Sequence, residues 1–407
     1  MSGSGPKPDH AFLAPGQKTR KRDFNSFCAE LQTTVNNALP STSKNYKKVA
    51  VLALRWSNDK MGVESTERDL LAVFKNNYGF AVENYVLDAK LSTWQVQRAL
   101  VAQVFSFQDK WQGPDSLCIY VYSGHGEFGP PVAPRQYDIF GDIQNKQTKV
   151  RWASIESLIQ AQSGDVLYIF DSCYASHLSR TDGPELLAAA NWASQASSHV
   201  TTSFTKILTD TLRKLNGDPS SAADIFAMMH RDDHKSHLGE VPIHVPRPNK
   251  PSIVLQKLVG SHGPTPAKRQ QISRLNSSQS TIQTRVLISV LVDEDPGKLD
   301  LEKWKNWVTN NIPASVDPSE ITIEAQFTTD SSLVFVALPL AIWTMLPDDE
   351  AYSFISYIKG GNLLTPTAGP IPGTLSDRTL PSGRENQRPG RENQPSGLQE
   401  SGSGSRK

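Results

Sequence analysis

The sequence predicts an α/β fold: a mostly parallel sheet flanked by helices, followed by a small α+β unit. Three observations carry this expectation. Short, nearly continuous apolar runs at 49–54 and 166–170 read as strands buried on both faces. Stretches with apolar residues at helical spacing alternate with such runs across 45–260, the order that builds a parallel sheet with helices on both sides. A shorter succession of strands and helices then occupies 283–364.

The elements come in this order. Residues 1–22 are polar, carry Gly and Pro, end in the basic cluster Lys18, Arg20, Lys21 and Arg22, and read as a disordered lead-in. A helix is expected over 23–38, with Phe24, Phe27, Leu31 and Val35 on one stripe and Asp23 placed to cap it; it ends before Pro40 and should dock on the next elements of the chain. Strands at 49–54, 82–87, 117–122 and 166–170 alternate with helices at 64–78, 93–111 and 152–161, the first of which stops at Gly79. Helices at 203–215 and 222–229 lead to a last strand near 253–258, which closes a domain over 23–260. Residues 261–282, rich in Ser, Gln and Pro, read as a linker.

The 283–364 unit begins with a strand at 285–292 and a helix at 299–311 carrying Leu301, Trp304, Trp307 and Val308. Strands at 321–327 and 333–338, a short helix at 341–346 and a strand at 352–358 complete it. That β-α-β-β-α-β order suits a ferredoxin-like sandwich. In 365–407 Gly-Arg-Glu-Asn-Gln occurs twice among Pro, Ser and Arg, and such a tail cannot bury enough apolar surface to fold.

Composition narrows the function classes. The 407 residues hold 42 Lys and Arg against 41 Asp and Glu, a net charge of +1, so the balance points neither to nucleic acid nor to an acidic membrane. The longest apolar stretch, near 333–346, is interrupted by Pro339, and the N-terminus lacks the basic-then-apolar order of a signal peptide. Cys28, Cys118 and Cys173 are too few and too scattered for a disulfide framework, which favours a reducing compartment. A soluble cytoplasmic protein is the expectation.

Chemistry is expected at the ends of two buried strands. One runs into Tyr122-Ser123-Gly124-His125-Gly126, the next into Asp171-Ser172-Cys173-Tyr174-Ala175. In an open parallel sheet both lie at the carboxyl edge, where such folds place ligands. A thiol needs a neighbouring base before it attacks a carbonyl, and imidazole can take that proton and then pass it to a leaving amine. The oxyanion would be met by backbone N–H groups, those of Cys173 and Gly126. Each motif alone has a bland reading, as Cys118 in a strand and Cys28 on a helix are simply small core residues. Together, 48 positions apart on consecutive core strands, Cys173 and His125 make a nucleophile and its base. His177 is placed at the surface. The run from His230 to His237 reads as a solvated polar segment rather than a zinc site, and Trp304, Trp307 and Trp343 read as core.

This layout resembles the caspase and metacaspase clan of cysteine peptidases over about 45–260. Tyr-Ser-Gly-His-Gly matches its histidine motif, Asp-Ser-Cys its cysteine motif, and the interval agrees with that of caspases. Leu186-Leu187-Ala188-Ala189-Ala190 and Ser203-Phe204-Thr205 resemble segments that come after the cysteine in caspase-like proteins of filamentous fungi. The resemblance implies a caspase-like fold and an endopeptidase acting on proteins or peptides, with no metal in catalysis. Calcium activation, common in metacaspases, has no site that can be located. It also implies that Asp171, two places before the cysteine, binds a substrate Arg or Lys, with Asp59 as a second acid of that pocket. The chain departs from caspases proper, which carry Gln-Ala-Cys-Arg-Gly, and from metacaspases at 191–195, which offer no further acid. Two alternatives stay open: a catalytically weak or inactive caspase-like module whose C-terminal domain binds a protein partner, and an α/β ligand-binding domain, for which no glycine-rich phosphate loop speaks.

Overall fold

The computed structural model describes residues 21–40, 44–129, 136–142, 144–178, 183–189, 204–230, 242–258, 284–293, 304, 307, 320–328 and 332–358. All of them fall in one compact unit, Met1–Gly361. The expected linker at 261–282, the tail at 365–407 and nearly all of the lead-in lie outside the described residues.

Helix α1 (Phe24–Ala38) starts as expected, with the Asp23 carboxylate accepting the Ser26 N–H at 2.9 Å. Strand β1 (Lys48–Trp56) is next, then α2 (Val63–Val73), which runs into one wider π turn (Phe74–Tyr78) and stops at Gly79 with φ +74°. After it come β2 (Ala81–Leu87), α3 (Thr93–Trp111) with a Ser92/Gln95 capping box, and β3 (Ser116–Ser123). Three strands that hydrophobic pattern did not announce come next: β4 (His125–Phe128), β5 (Tyr137–Asp142) and β6 (Asn145–Arg151). They form a separate antiparallel sheet in that order. Helix α4 (Trp152–Gln160), β7 (Asp165–Asp171), β8 (Glu185–Ala188), α5 (Phe204–Leu215), β9 (Ser220–Ser221), α6 (Ala222–Met229), β10 (Ile243–Val245) and β11 (Val254–Leu255) continue the chain.

The central sheet has the order β10-β8-β7-β3-β1-β2. All of its pairings are parallel except β8 with β10. Its middle strands are buried along nearly their whole length, whereas β2, at the edge, is half-exposed. The expected last strand near 253–258 is corrected: β11 leaves this sheet and pairs antiparallel with β9. The outer places go to β8 and β10, four and three residues long, too short to show a period.

Helices α3 and α4 cover one face of the central sheet around Val96, Leu100, Phe107, Ile155 and Ile159. The opposite face packs on α1, α2, α5 and α6. That second cluster continues without a break into a small sheet built from β12 (Arg285–Val292), β13 (Thr322–Thr328), β14 (Ser332–Pro339) and β15 (Tyr352–Ile358). Its order β13-β14-β12-β15, antiparallel throughout, is what a β-α-β-β-α-β chain produces. Val286, Ile288, Val290 and Val292 alternate inward from β12 into the apolar cluster that also holds Phe27, Leu31 and Val35 of α1 and Ile225 and Phe226 of α6. The second crossover carries the short helix α7 (Leu340–Trp343). Of the expected helix at 299–311 only Trp304 and Trp307 are described; both are helical, and Trp304 stacks on Phe27 at 6.0 Å. Arg22 ties the start of the chain to this sheet, donating its N–H to the Leu291 carbonyl at 3.0 Å and its guanidinium to Asp349 at 2.7 Å.

Candidate active site

Strands β1, β3 and β7 end side by side, and the strand order reverses between β1 and β3. That is where an open parallel sheet leaves a crevice at its carboxyl edge. The β3–β7 register pairs Ser123 with Asp171, and the Gly124 N–H donates to the Asp171 carbonyl at 3.1 Å. His125 and Cys173 each lie two residues beyond that pair. Gly126 lies against the Cys173 backbone: a Cβ on it would fall 2.8 Å from the Cys173 carbonyl oxygen and 2.2 Å from the Tyr137 hydroxyl. Only a glycine fits there. The folded chain thus brings the His125-Gly126 and Cys173 segments together, in keeping with the two motifs.

His125 opens β4, opposite Phe140 of β5, and the two rings stack at 5.5 Å with 12° between their planes. Burial holds its imidazole below the ordinary histidine pKa; Asp59 and Asp142 pull it upward, and Lys146 works against them. The Tyr122 hydroxyl, inside the core, donates to the His125 carbonyl at 2.7 Å. Cys173 is half-buried and not in a disulfide. Tyr174, directly after it, sits in the left-handed region with φ +59°, a conformation that a non-glycine residue adopts only where its surroundings enforce it. Ser172, fully buried, meets the Tyr137 hydroxyl at 2.5 Å, and that hydroxyl also reaches the Cys173 carbonyl at 3.2 Å.

The two acids expected to share a pocket are held by different helices. Asp59 accepts the N–H groups of Gly62 and Val63 at 2.9 and 3.1 Å at the start of α2. Its other oxygen is buried without a hydrogen-bond partner among the described residues. Asp171 accepts the N–H and hydroxyl of Thr205, at 3.0 and 2.6 Å, in the first turn of α5. Burial raises its pKa, and those two bonds oppose the rise. Beside them, Arg55 at the end of β1 reaches Glu67 of α2 at 3.4 Å. Burial pushes the Glu67 carboxyl up to about 7, with Arg55 pulling it down. The side chain of His177 and the segment 191–195 lie outside the described residues.

Sequence reasoning missed Tyr137, Phe140 and Thr205. The first two sit on β5, whose partner β6 (Asn-Lys-Gln-Thr-Lys-Val-Arg) is too polar to announce a strand; Thr205 stands out in the sequence only within Ser203-Phe204-Thr205. Among the described residues no group of three or more His, Cys, Asp or Glu side chains could hold a metal ion. No described helix is long and apolar enough to cross a membrane.

No family model matches the chain, and no curated protein matches it. Among solved structures it is similar to caspase-1 from Spodoptera frugiperda, with 13% identity, a TM-score of 0.37, and coverage of 54% of this chain and 94% of that one. A likeness of that size adds nothing to the architecture read from the strands themselves: a mixed α/β unit with a central, mostly parallel sheet between helices and a small C-terminal β-sheet.

Proposed function

We propose that this chain is a caspase-like cysteine endopeptidase, with Cys173 as nucleophile and His125 as general base. The observation that carries the reading is the Ser123–Asp171 register with its Gly124 to Asp171 bond, which sets the two motifs next to each other at the carboxyl ends of β3 and β7, one strand over from the switch point. In the reaction Cys173 Sγ attacks the scissile carbonyl carbon while its proton passes to the His125 imidazole. The C–N bond then breaks, the imidazolium protonates the departing amine, and a thioester remains. Water, deprotonated by His125, hydrolyses the thioester and returns the thiol. The N–H groups of Cys173 and Gly126 receive the oxyanion. Asp171 and the unpartnered oxygen of Asp59 favour Arg or Lys before the scissile bond, and catalysis needs no metal. The working place is the cytoplasm, consistent with thiols kept reduced.

The test is turnover of peptides with varied residues before the scissile bond, with and without calcium. Cys173→Ala and His125→Ala should each lower kcat/KM by at least about a hundredfold while keeping the thermal transition of the wild type. Turnover close to the wild-type rate in either variant would sink the dyad. Cleavage after Asp but not after Arg or Lys would remove the acidic-pocket assignment alone. A second reading, an inactive module that binds a protein partner, draws on the exposed Phe327, Phe354, Ile355 and Tyr357 of the small sheet. It gains if the wild type neither cleaves peptides nor reacts with a thiol-directed inhibitor.

A further inference from the structure

Two tyrosine hydroxyls stand behind the proposed dyad, one for each half. Tyr122 is the last residue but one of β3 and Tyr137 opens β5, so they come from different sheets. Both side chains are buried, and burial raises the pKa of both phenols, so both remain protonated donors at neutral pH. A hydroxyl has one hydrogen to give, and a carbonyl oxygen only accepts. The Tyr137 hydrogen therefore goes to the Cys173 carbonyl, and the Ser172 hydroxyl donates to the Tyr137 oxygen. The Tyr122 hydrogen goes to the nearer of its two carbonyl neighbours, His125 at 2.7 Å rather than Phe140 at 3.4 Å.

Each hydroxyl occupies the space that a glycine leaves. A Cβ on Gly124 would fall 2.6 Å from the Tyr122 oxygen, and one on Gly126 would fall 2.2 Å from the Tyr137 oxygen. The carbonyl that Tyr137 holds belongs to the peptide leading into Tyr174, whose φ is +59°. That bond therefore fixes the peptide between the nucleophile and a residue in the left-handed region.

We propose that Tyr137 and Tyr122 are positioning residues, fixing the backbones of Cys173 and His125 so that thiol and imidazole face each other. The proposal rests on the peptidase reading. A merely packing role would need the rings but not the hydroxyls, since Phe fills the same volume.

The experiment compares wild type, His125→Ala, Tyr137→Phe and Tyr122→Phe in the full chain. It measures the pH midpoint of Cys173 alkylation by iodoacetamide, read by peptide mapping, together with kcat and KM on a cleaved peptide. Removing the base should shift the midpoint between wild type and His125→Ala. In Tyr137→Phe the midpoint is expected to move toward the His125→Ala value, with kcat down about tenfold or more and KM within about twofold. Tyr122→Phe carries the same expectation and keeps the test available if Tyr137→Phe does not fold. Wild-type midpoint and kcat in both folded Phe variants would overturn the positioning role and leave the dyad standing. If wild type and His125→Ala share one midpoint, the dyad itself fails, and the positioning role fails with it.

Discussion

His125 combines half-burial with three charges in reach. Burial disfavours the imidazolium, so the neutral base persists below the ordinary histidine value of about 6.5. The acidic limb of kcat/KM should therefore lie below that value. Lys146 lowers the His125 pKa and Asp59 raises it, so Lys146→Ala should move the limb up in pH and Asp59→Asn should move it down. A pH–rate profile of the three proteins checks both signs, and a limb that stays put in both would remove His125 as the group being read. Lys146 is itself exposed and paired with Glu127 at 2.5 Å, so its effect should shrink as salt is added.

At the scale of elements, the antiparallel sheet of β4, β5 and β6 gives the site its form. It supplies His125, the Phe140 ring beneath it and the Tyr137 hydroxyl behind Cys173. Gly126→Ala should cost roughly 1–3 kcal/mol in thermal unfolding and abolish turnover, because the new methyl meets an anchored hydroxyl and a backbone oxygen. Unchanged stability and activity would mean that these strands yield more than their hydrogen bonds suggest. Helix α2 carries a second consequence. The folded Glu67 carboxyl, pushed up to about 7, binds its proton more tightly than the unfolded one, so its contribution to stability falls as pH rises from about 4.5 to 7. Glu67→Gln should flatten the dependence of Tm on pH over that interval, and an equally steep curve would overturn the assignment. The two motifs were legible because each comes directly after a strand buried on both faces, which shows as an apolar run. The sheet between them was not, because Lys146, Gln147 and Lys149 mask the alternation of β6.

Across the whole described unit, the central and small sheets share one apolar cluster, and a buried polar group helps to join them. Glu185 of β8 accepts from the Ser252 hydroxyl at 2.5 Å and the Ile253 N–H at 2.7 Å, and it meets His244 Nε2 at 2.8 Å. The other nitrogen of His244 faces the Thr344 hydroxyl, just past α7, at 3.1 Å. Glu185→Ala would leave all these groups buried without the carboxylate, so it should cost about 3–5 kcal/mol and lower the Tm of one transition shared by both sheets. Calorimetry showing two separate transitions, only one of them displaced, would contradict that shared core.

By itself the sequence determined the apolar strands, the helices, the Asp23 cap and the Gly79 stop, and the places of the two motifs at strand ends. These are properties of a few adjacent residues, where periodicity and capping chemistry act over one or two turns. The tertiary structure alone decided which strand ends become neighbours, that Asp171 is held by Thr205 while Asp59 accepts the Gly62 and Val63 N–H groups at the start of α2, and that two tyrosine hydroxyls reach the backbones of His125 and Cys173. Those contacts join residues far apart in the chain, and they form only when burial of the apolar faces brings separate elements together.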